Sequence, residues 1–510
     1  MSAVAAPPSG APAAGAGEVS EPPRRRRIPV AGRWIALIAC LNAVAWSLIV
    51  PPFQVPDETA HFYYAQYLAE TGELPVQTPE NRWFSEDIGA VLAVQGFYAV
   101  IGRSDTPVPA LDADKAALQE AQRPGLDRVG HGDAATASNN PPLYYLVQDV
   151  AYAAARGADV TGRLAIMRLV SALMAGLTTL CVYLFLREVL PRSPLSWAVG
   201  GLAAGLQPTF AFMSSGVNND VGLYLVSAAL LLALARLFRR GLTLRRAAAV
   251  GALLGLGVLV KTQVAAFAPA VGLALLLCAW RGRAERGNAA TLRALGGGVA
   301  AGAVPLAIYG VLGMTIWDRP VVDRVSGVVA ARSADFRPYK WTEQVSYLWQ
   351  LYLPRTPNFD DLLPGVPPYT LWFNGLVGHF GWLDYQLPSL FYPVAGVLFL
   401  VLAGLALSAL WTSRAALRAH VGEVLVYATF VAGLLGAIAV AGYRAWLDGA
   451  PGFEQARYLL PLLSLFALIP ALAVRAGGRR WGPAIAILIV TGVIGHSLLA
   501  QLITLMRYYG

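Results

Sequence analysis

The chemistry of this chain starts at Pro56-Asp57-Glu58-Thr59-Ala60-His61. Pro followed by Asp opens helices, and Asp57 is placed to cap the helix that follows. On that helix Asp57, His61, Tyr64 and Leu68 recur at spacings of four, three and four, so they share one face. A carboxylate one turn from an imidazole is suited to taking a proton from a hydroxyl, which makes Asp57 a candidate general base. The competing reading leaves Asp57 as a cap and His61 as its partner. Asn separates the two, because it caps about as well as Asp but accepts no proton.

Three more clusters carry polar groups suited to binding. In Ser138-Asn139-Asn140-Pro141-Pro142-Leu143-Tyr144-Tyr145, Ser/Asn before Pro marks a helix start. Leu143, Leu146, Val147 and Val150 then form an apolar stripe, and the pattern breaks at Arg156-Gly157, which predicts an interfacial helix in the outer leaflet. Asn139, Asn140 and Tyr144 join His61 as candidate substrate contacts. Asn218, Asn219 and Asp220 lie at a turn between apolar blocks, where they either bind sugar hydroxyls or a cation, or simply make the turn and cap the next helix. His379, Trp382 and Asp384 have the composition of a sugar platform, with aromatic anchoring at the interface as the alternative.

These residues must be positioned by membrane spans. Of 510 residues, 56% are hydrophobic and only 14% charged, with a mean hydropathy of +0.53; soluble domains carry about 25% charged residues. A soluble enzyme, a nucleic-acid-binding module and a disordered scaffold are excluded. Apolar blocks of about 17–25 residues match the bilayer core. The fold class is an all-α polytopic membrane protein with eleven spans. The first runs through 34–50, six more lie within 165–316 and four within 390–510. Residues 1–33, with Arg24 to Arg27, form a disordered cytoplasmic tail. With the N-terminus inside, the cytoplasmic segments hold 21 Arg against 5 acidic residues and the outer segments 18 Lys/Arg against 25 acidic. That partition follows the positive-inside rule, and the +9 net charge is a topology signal. Trp34, Trp197, Trp280, Trp411 and Trp481 fall at the inner span ends as an aromatic belt.

Two long outer loops remain, 51–164 and 317–389, and their aromatics (Trp83, Trp341, Trp349, Trp372 and Trp382) predict folding against the membrane. Cys40, Cys181 and Cys278 all lie in apolar blocks, so no disulfide framework follows. No internal repeat is visible, which counts against a secondary transporter.

A short first span, an outer loop opening on an Asp-Glu pair and an Asn-Pro-Pro-Leu-Tyr-Tyr stretch resemble the GT-C superfamily of integral-membrane glycosyltransferases, which includes the protein O-mannosyltransferases and the aminoarabinose transferases. The pattern is most similar to the DUF2142 family of predicted bacterial membrane proteins. It rests on Pro56-Asp57-Glu58 with His61, Asn139-Asn140-Pro141-Pro142, Val217-Asn218-Asn219-Asp220, Phe380-Gly381-Trp382-Leu383-Asp384 with Leu387-Pro388, and Gln455-Ala456-Arg457-Tyr458-Leu459-Leu460-Pro461. The resemblance implies a polyprenyl-phosphate sugar donor, inverting transfer at the outer face, Asp57 as catalytic base and Glu58 placing the acceptor. Asn140 stands where the mannosyltransferases usually carry His.

Inverting transfer needs a base on the acceptor hydroxyl and cations on the departing lipid phosphate. Arg457, Arg444 and Lys261 sit at outer span ends and are the candidate phosphate ligands; each has snorkelling to the interface as its alternative. No spacing requires a cofactor, and a divalent cation on Asp57 or Glu58 stays open. The expected partners are membrane lipids, the lipid-linked donor and a cell-envelope glycan acceptor, with no nucleic acid, and the expected location is the plasma membrane with an extracytoplasmic site. The alternatives are a flippase for a lipid-linked precursor and an oligosaccharide ligase or polymerase. Charges clustered at outer ends, with nearly bare span centres, favour an enzyme over a carrier.

Overall fold

The computed structural model describes residues 28–76, 84–103, 115–132, 134–317, 337–354, 362–363, 367–449 and 454–510. Arg24 to Arg27, most of the tail and Trp83 lie outside the described residues.

Nine described helices are long and apolar enough to cross a membrane: Val30–Ile49, Val160–Val189, Asn219–Arg240, Thr262–Ala284, Asn288–Thr315, Phe391–Thr412, Val421–Leu447, Ala456–Ala476 and Gly478–Tyr509. Two of the eleven expected spans are not in this set. One, expected at 196–215, is broken into Pro194–Gly205 and Pro208–Met213. Pro208 has no N–H to give and pushes Gln207 out of the α region, so the first piece stops there. The freed polar groups turn outward to the second loop, with the Gln207 side chain and the Thr209 hydroxyl both donating to the Leu376 carbonyl. The other is Leu244–Val260, one residue under the length of a full candidate.

Glycine governs the closest helix approach. Gly251 and Gly255 on Leu244–Val260 face Gly298 and Gly302 on Asn288–Thr315, and a Cβ at Gly251 or Gly255 would strike the opposing backbone. Small residues four apart let backbones pack where lipid supplies no hydrophobic drive. The outer surface is apolar, as a lipid-facing surface must be: Val299, Ile308, Leu398 and Leu400 are all more than half exposed. Trp34, Trp280, Trp411 and Trp481 are exposed as well. Trp197 is half-buried instead, its indole donating to the Leu190 carbonyl at 2.6 Å.

The first long loop folds onto the bundle. Glu58–Thr71 packs against Leu143–Ala154. The latter, at twelve residues, is too short to span. Its stripe of Leu146, Val147 and Val150 is exposed, while Tyr144, Tyr145, Gln148 and Tyr152 face the protein. One correction to an all-helical reading comes from the second loop. His379–Phe380 pairs antiparallel with Tyr385–Gln386 as a minimal hairpin, turned through Gly381 and Leu383 at positive φ.

Candidate functional site

Asp57 occupies the N-cap position of Glu58–Thr71 but does not cap it. Its backbone is left-handed, at φ 63° and ψ 3°. A capping side chain needs an extended backbone to reach the first-turn N–H groups, so the carboxylate is released to point elsewhere. Asp is among the few residues besides glycine that tolerate this conformation.

What fixes the turn is Glu58, fully buried and bound on all sides. Its oxygens accept from Arg168 Nε at 2.8 Å and Nη2 at 2.6 Å, from the Phe53 N–H at 2.9 Å and from the Val217 N–H at 3.0 Å. Arg168 also donates to the carbonyls of Ser47, Val50 and Pro51. One ion pair thus ties the end of the first span, the start of the Asp57 helix and the approach to Asn219–Arg240. Glu58 has no free face toward a substrate, which corrects its expected role beside an acceptor: it positions Asp57. Arg168 was the overlooked signal, because a cation inside an apolar helix requires a buried anion.

The same framework brings the acidic turn to Asp57. Asn218 caps Asn219–Arg240, accepting from the Asp220 N–H at 2.9 Å, and donates to the Pro56 carbonyl at 3.0 Å. Arg457 comes from the other end of the chain, on the 3-10 turn Ala456–Leu462 that Pro461 interrupts. Its Nη2 donates to Asp57 Oδ2 at 2.5 Å, and its Nε lies 3.8 Å from Asp220 Oδ2. Lys261 ends Leu244–Val260 and holds the other Asp220 oxygen.

These groups share one cavity of about 730 Å³. Asp57, His61, Asn140, Asn218, Asn219, Asp220, Lys261, Arg444 and Arg457 line it, together with Tyr458, which the sequence did not mark as a ligand. Arg457 Nε and Nη1, and both side-chain amide atoms of Asn219, are buried without a hydrogen-bond partner among the described residues. Arg444 is exposed on the wall formed by Val421–Leu447. Unspent donors next to cations suit an anion or a ring of hydroxyls.

Burial works against the Asp57 charge, but the Arg457 guanidinium outweighs it and holds the carboxyl below its ordinary value. Burial drives His61 down to about 4, so at neutral pH it is the uncharged imidazole. Its Nδ1 lies 2.7 Å from the Tyr145 hydroxyl, and the Tyr145 ring stacks on Tyr64 at 3.5 Å.

Other expected contacts fall elsewhere. Asn139 is exposed at the end of the short Ala135–Asn139 turn. Tyr144 is buried against Gln148 and Ser171. Trp382 packs edge-on to Phe97 at 5.9 Å, and Asp384 pairs with Arg507 at 3.1 Å. None of the four lines the Asp57 cavity. Among the described residues no three His, Cys, Asp or Glu side chains converge as cation ligands.

A second cavity of about 600 Å³ is bordered by Pro56. Pro56 and Arg457 line it, with His379, Gly442, Trp446, Glu454 and Gln455 among its other walls. Arg457 therefore borders both spaces.

The family model for predicted membrane proteins (DUF2142) matches residues 40–466. No curated protein matches the chain in sequence. Among solved structures, the chain is similar to the Archaeoglobus fulgidus oligosaccharyltransferase in its apo form, at 14% identity and a TM-score of 0.43, covering 94% of this chain and 56% of that one. ArnT from Cupriavidus metallidurans in the apo state gives 12% identity and 0.46, with coverages of 94% and 76%. The arabinosyltransferase EmbB from Mycobacterium smegmatis gives 14% and 0.42, with 96% and 42%. The chain thus spans little more than half the length of the archaeal protein.

Proposed function

The chain belongs to the DUF2142 family of predicted membrane proteins, and we propose that it is an inverting glycosyltransferase of the GT-C type that takes its sugar from a polyprenyl-phosphate carrier. The observation that carries this reading is the Asp57–Arg457 pair inside a cavity with Lys261, Arg444 and unspent donors on Arg457 and Asn219. A base and a cationic clamp are the two components such a transfer needs.

In the proposed step the acceptor oxygen bonds to the anomeric carbon and passes its proton to an Asp57 oxygen. The bond from that carbon to the phosphate oxygen breaks, and the electron pair leaves with the polyprenyl phosphate. The phosphate gains one negative charge on departure. Arg457, Lys261 and Arg444 therefore bind the transition state and product more strongly than the donor, which is what accelerates a reaction. A donor phosphate also competes with Asp57 for the Arg457 guanidinium, and a carboxylate relieved of that pairing is a stronger base. The cations supply the positive charge, so the scheme calls for no cofactor.

We place the site on the outer face of the plasma membrane and retain eleven spans with the N-terminus in the cytoplasm, counting the broken Pro194–Met213 segment and Leu244–Val260. On that topology 51–164 and 317–389 are outer loops, six spans lie within 165–316 and four within 390–510. The acceptor is a cell-envelope glycan, and the product sugar is hexosyl or pentosyl.

The test supplies purified protein in nanodiscs with polyprenyl-phosphate sugars and measures release of free polyprenyl phosphate. Turnover with at least one donor is expected. No turnover with any donor, together with movement of the lipid-linked sugar across vesicles, would replace this reading with a flippase.

A further inference from the structure

The second cavity holds a carboxyl that the transfer chemistry above leaves unused. Glu454 is 7% exposed, lines that cavity, and its Oε1 is buried without a hydrogen-bond partner among the described residues. It lies three residues before Arg457 and is not among the residues that line the cationic cavity.

The surroundings hold the carboxyl closely in place. A Cβ at Gly442 would collide with both Glu454 Oε1 and the Tyr347 hydroxyl. Gly442 belongs to Val421–Leu447 and Tyr347 to Trp341–Tyr352, so three separate segments converge on one point. An unpaired buried carboxyl is costly, and one facing a cavity recovers that cost when a ligand supplies the missing bond.

We propose that this cavity is the acceptor subsite and that Glu454 binds a hydroxyl of an uncharged sugar ring. The inference rests on the transferase reading and names the acceptor class for the same site. The hydroxyl held by Glu454 is not the one that reacts, which belongs to Asp57. Mostly apolar walls bearing the Trp446 and Tyr347 rings and a few polar groups suit a sugar, which has C–H faces and a polar rim. Arg337 and Arg457 on the walls oppose a cationic acceptor. An isoprenoid tail would leave the Glu454 oxygen unpaired.

Burial raises the Glu454 carboxyl above its ordinary value, and a carbodiimide reacts with protonated carboxyls in apolar surroundings. The experiment treats wild-type protein in nanodiscs with dicyclohexylcarbodiimide and maps the label by mass spectrometry, with and without a panel of neutral methyl glycosides. Label at Glu454, blocked by at least one glycoside and not by farnesyl phosphate, is expected. Protection by farnesyl phosphate instead, or by nothing, overturns the proposal. In turnover with a protecting glycoside as acceptor, Glu454→Gln and Gly442→Ala each raise the acceptor KM by about tenfold, the scale of one hydrogen bond, with the donor KM unmoved. An acceptor KM equal to wild type in both variants overturns it equally. Should no donor be turned over, the transferase reading fails while the labelling experiment still decides what the cavity binds.

Discussion

Arg457 donates to Asp57 at 2.5 Å across 400 residues of sequence, and the same guanidinium leans toward Asp220 at 3.8 Å. Two acids and one base from three helix ends meet at a wall shared by two cavities. Each acid is held differently: Asp220 by Lys261 as well as Arg457, and Asp57 by Arg457 alone among the described residues.

Asp57→Asn keeps the fold, because Asn tolerates a left-handed backbone as well as Asp does. It removes the proton acceptor, and transfer falls by about a hundred- to ten-thousandfold, the usual worth of a positioned base. Release of polyprenyl phosphate measures this. Near-normal rates in a folded Asp57→Asn variant would show that the carboxylate is not the base.

Glu58→Ala acts on stability. It strands the Arg168 guanidinium in the interior, and breaking a buried pair from one side costs about 3–5 kcal/mol. Glu58→Leu combined with Arg168→Leu recovers much of that loss, since neither charge is then left behind. Melting of the detergent-solubilised variants checks both. A Glu58→Ala protein that melts like wild type and lacks activity would return Glu58 to the substrate.

Arg444 is the cleanest probe of the cationic clamp, being exposed and without an ion pair among the described residues. Arg444→Met leaves the melting temperature unchanged and weakens binding of undecaprenyl phosphate by about tenfold, as expected for loss of a charged contact. Fluorescence titration in nanodiscs reads the affinity. Equal affinity in the two proteins would remove Arg444 from the clamp.

His61 sets a pH window for stability. Its value falls from 6.5 to about 4 on folding, so the unfolded chain binds that proton more tightly. Stability from this group is full above pH 6.5 and is lost as pH drops toward 4. Asp57, held below its own ordinary value, responds only further into acid. Between neutral pH and about pH 5, His61→Gln therefore loses less melting temperature than wild type does. An identical drop in both proteins would contradict a neutral, buried His61.

Sequence alone determined that this is a helical membrane protein and that Asp57, Asp220, Lys261, Arg444 and Arg457 merit attention. Apolar runs are local and charge asymmetry is additive, so both can be read along the chain. Proximity is neither. Only the tertiary structure decided that Asp57 gives up its cap to face Arg457, because the left-handed turn is imposed by Glu58 and Arg168, 110 residues apart. It likewise separated Glu58 from Asp57, neighbours in sequence that point into a sealed ion pair and an open cavity, and took Trp382 to Phe97 and Asp384 to Arg507 instead. Glu454 carried no sequence signal at all: a lone carboxyl becomes significant only when three segments close around it and leave one oxygen unpaired.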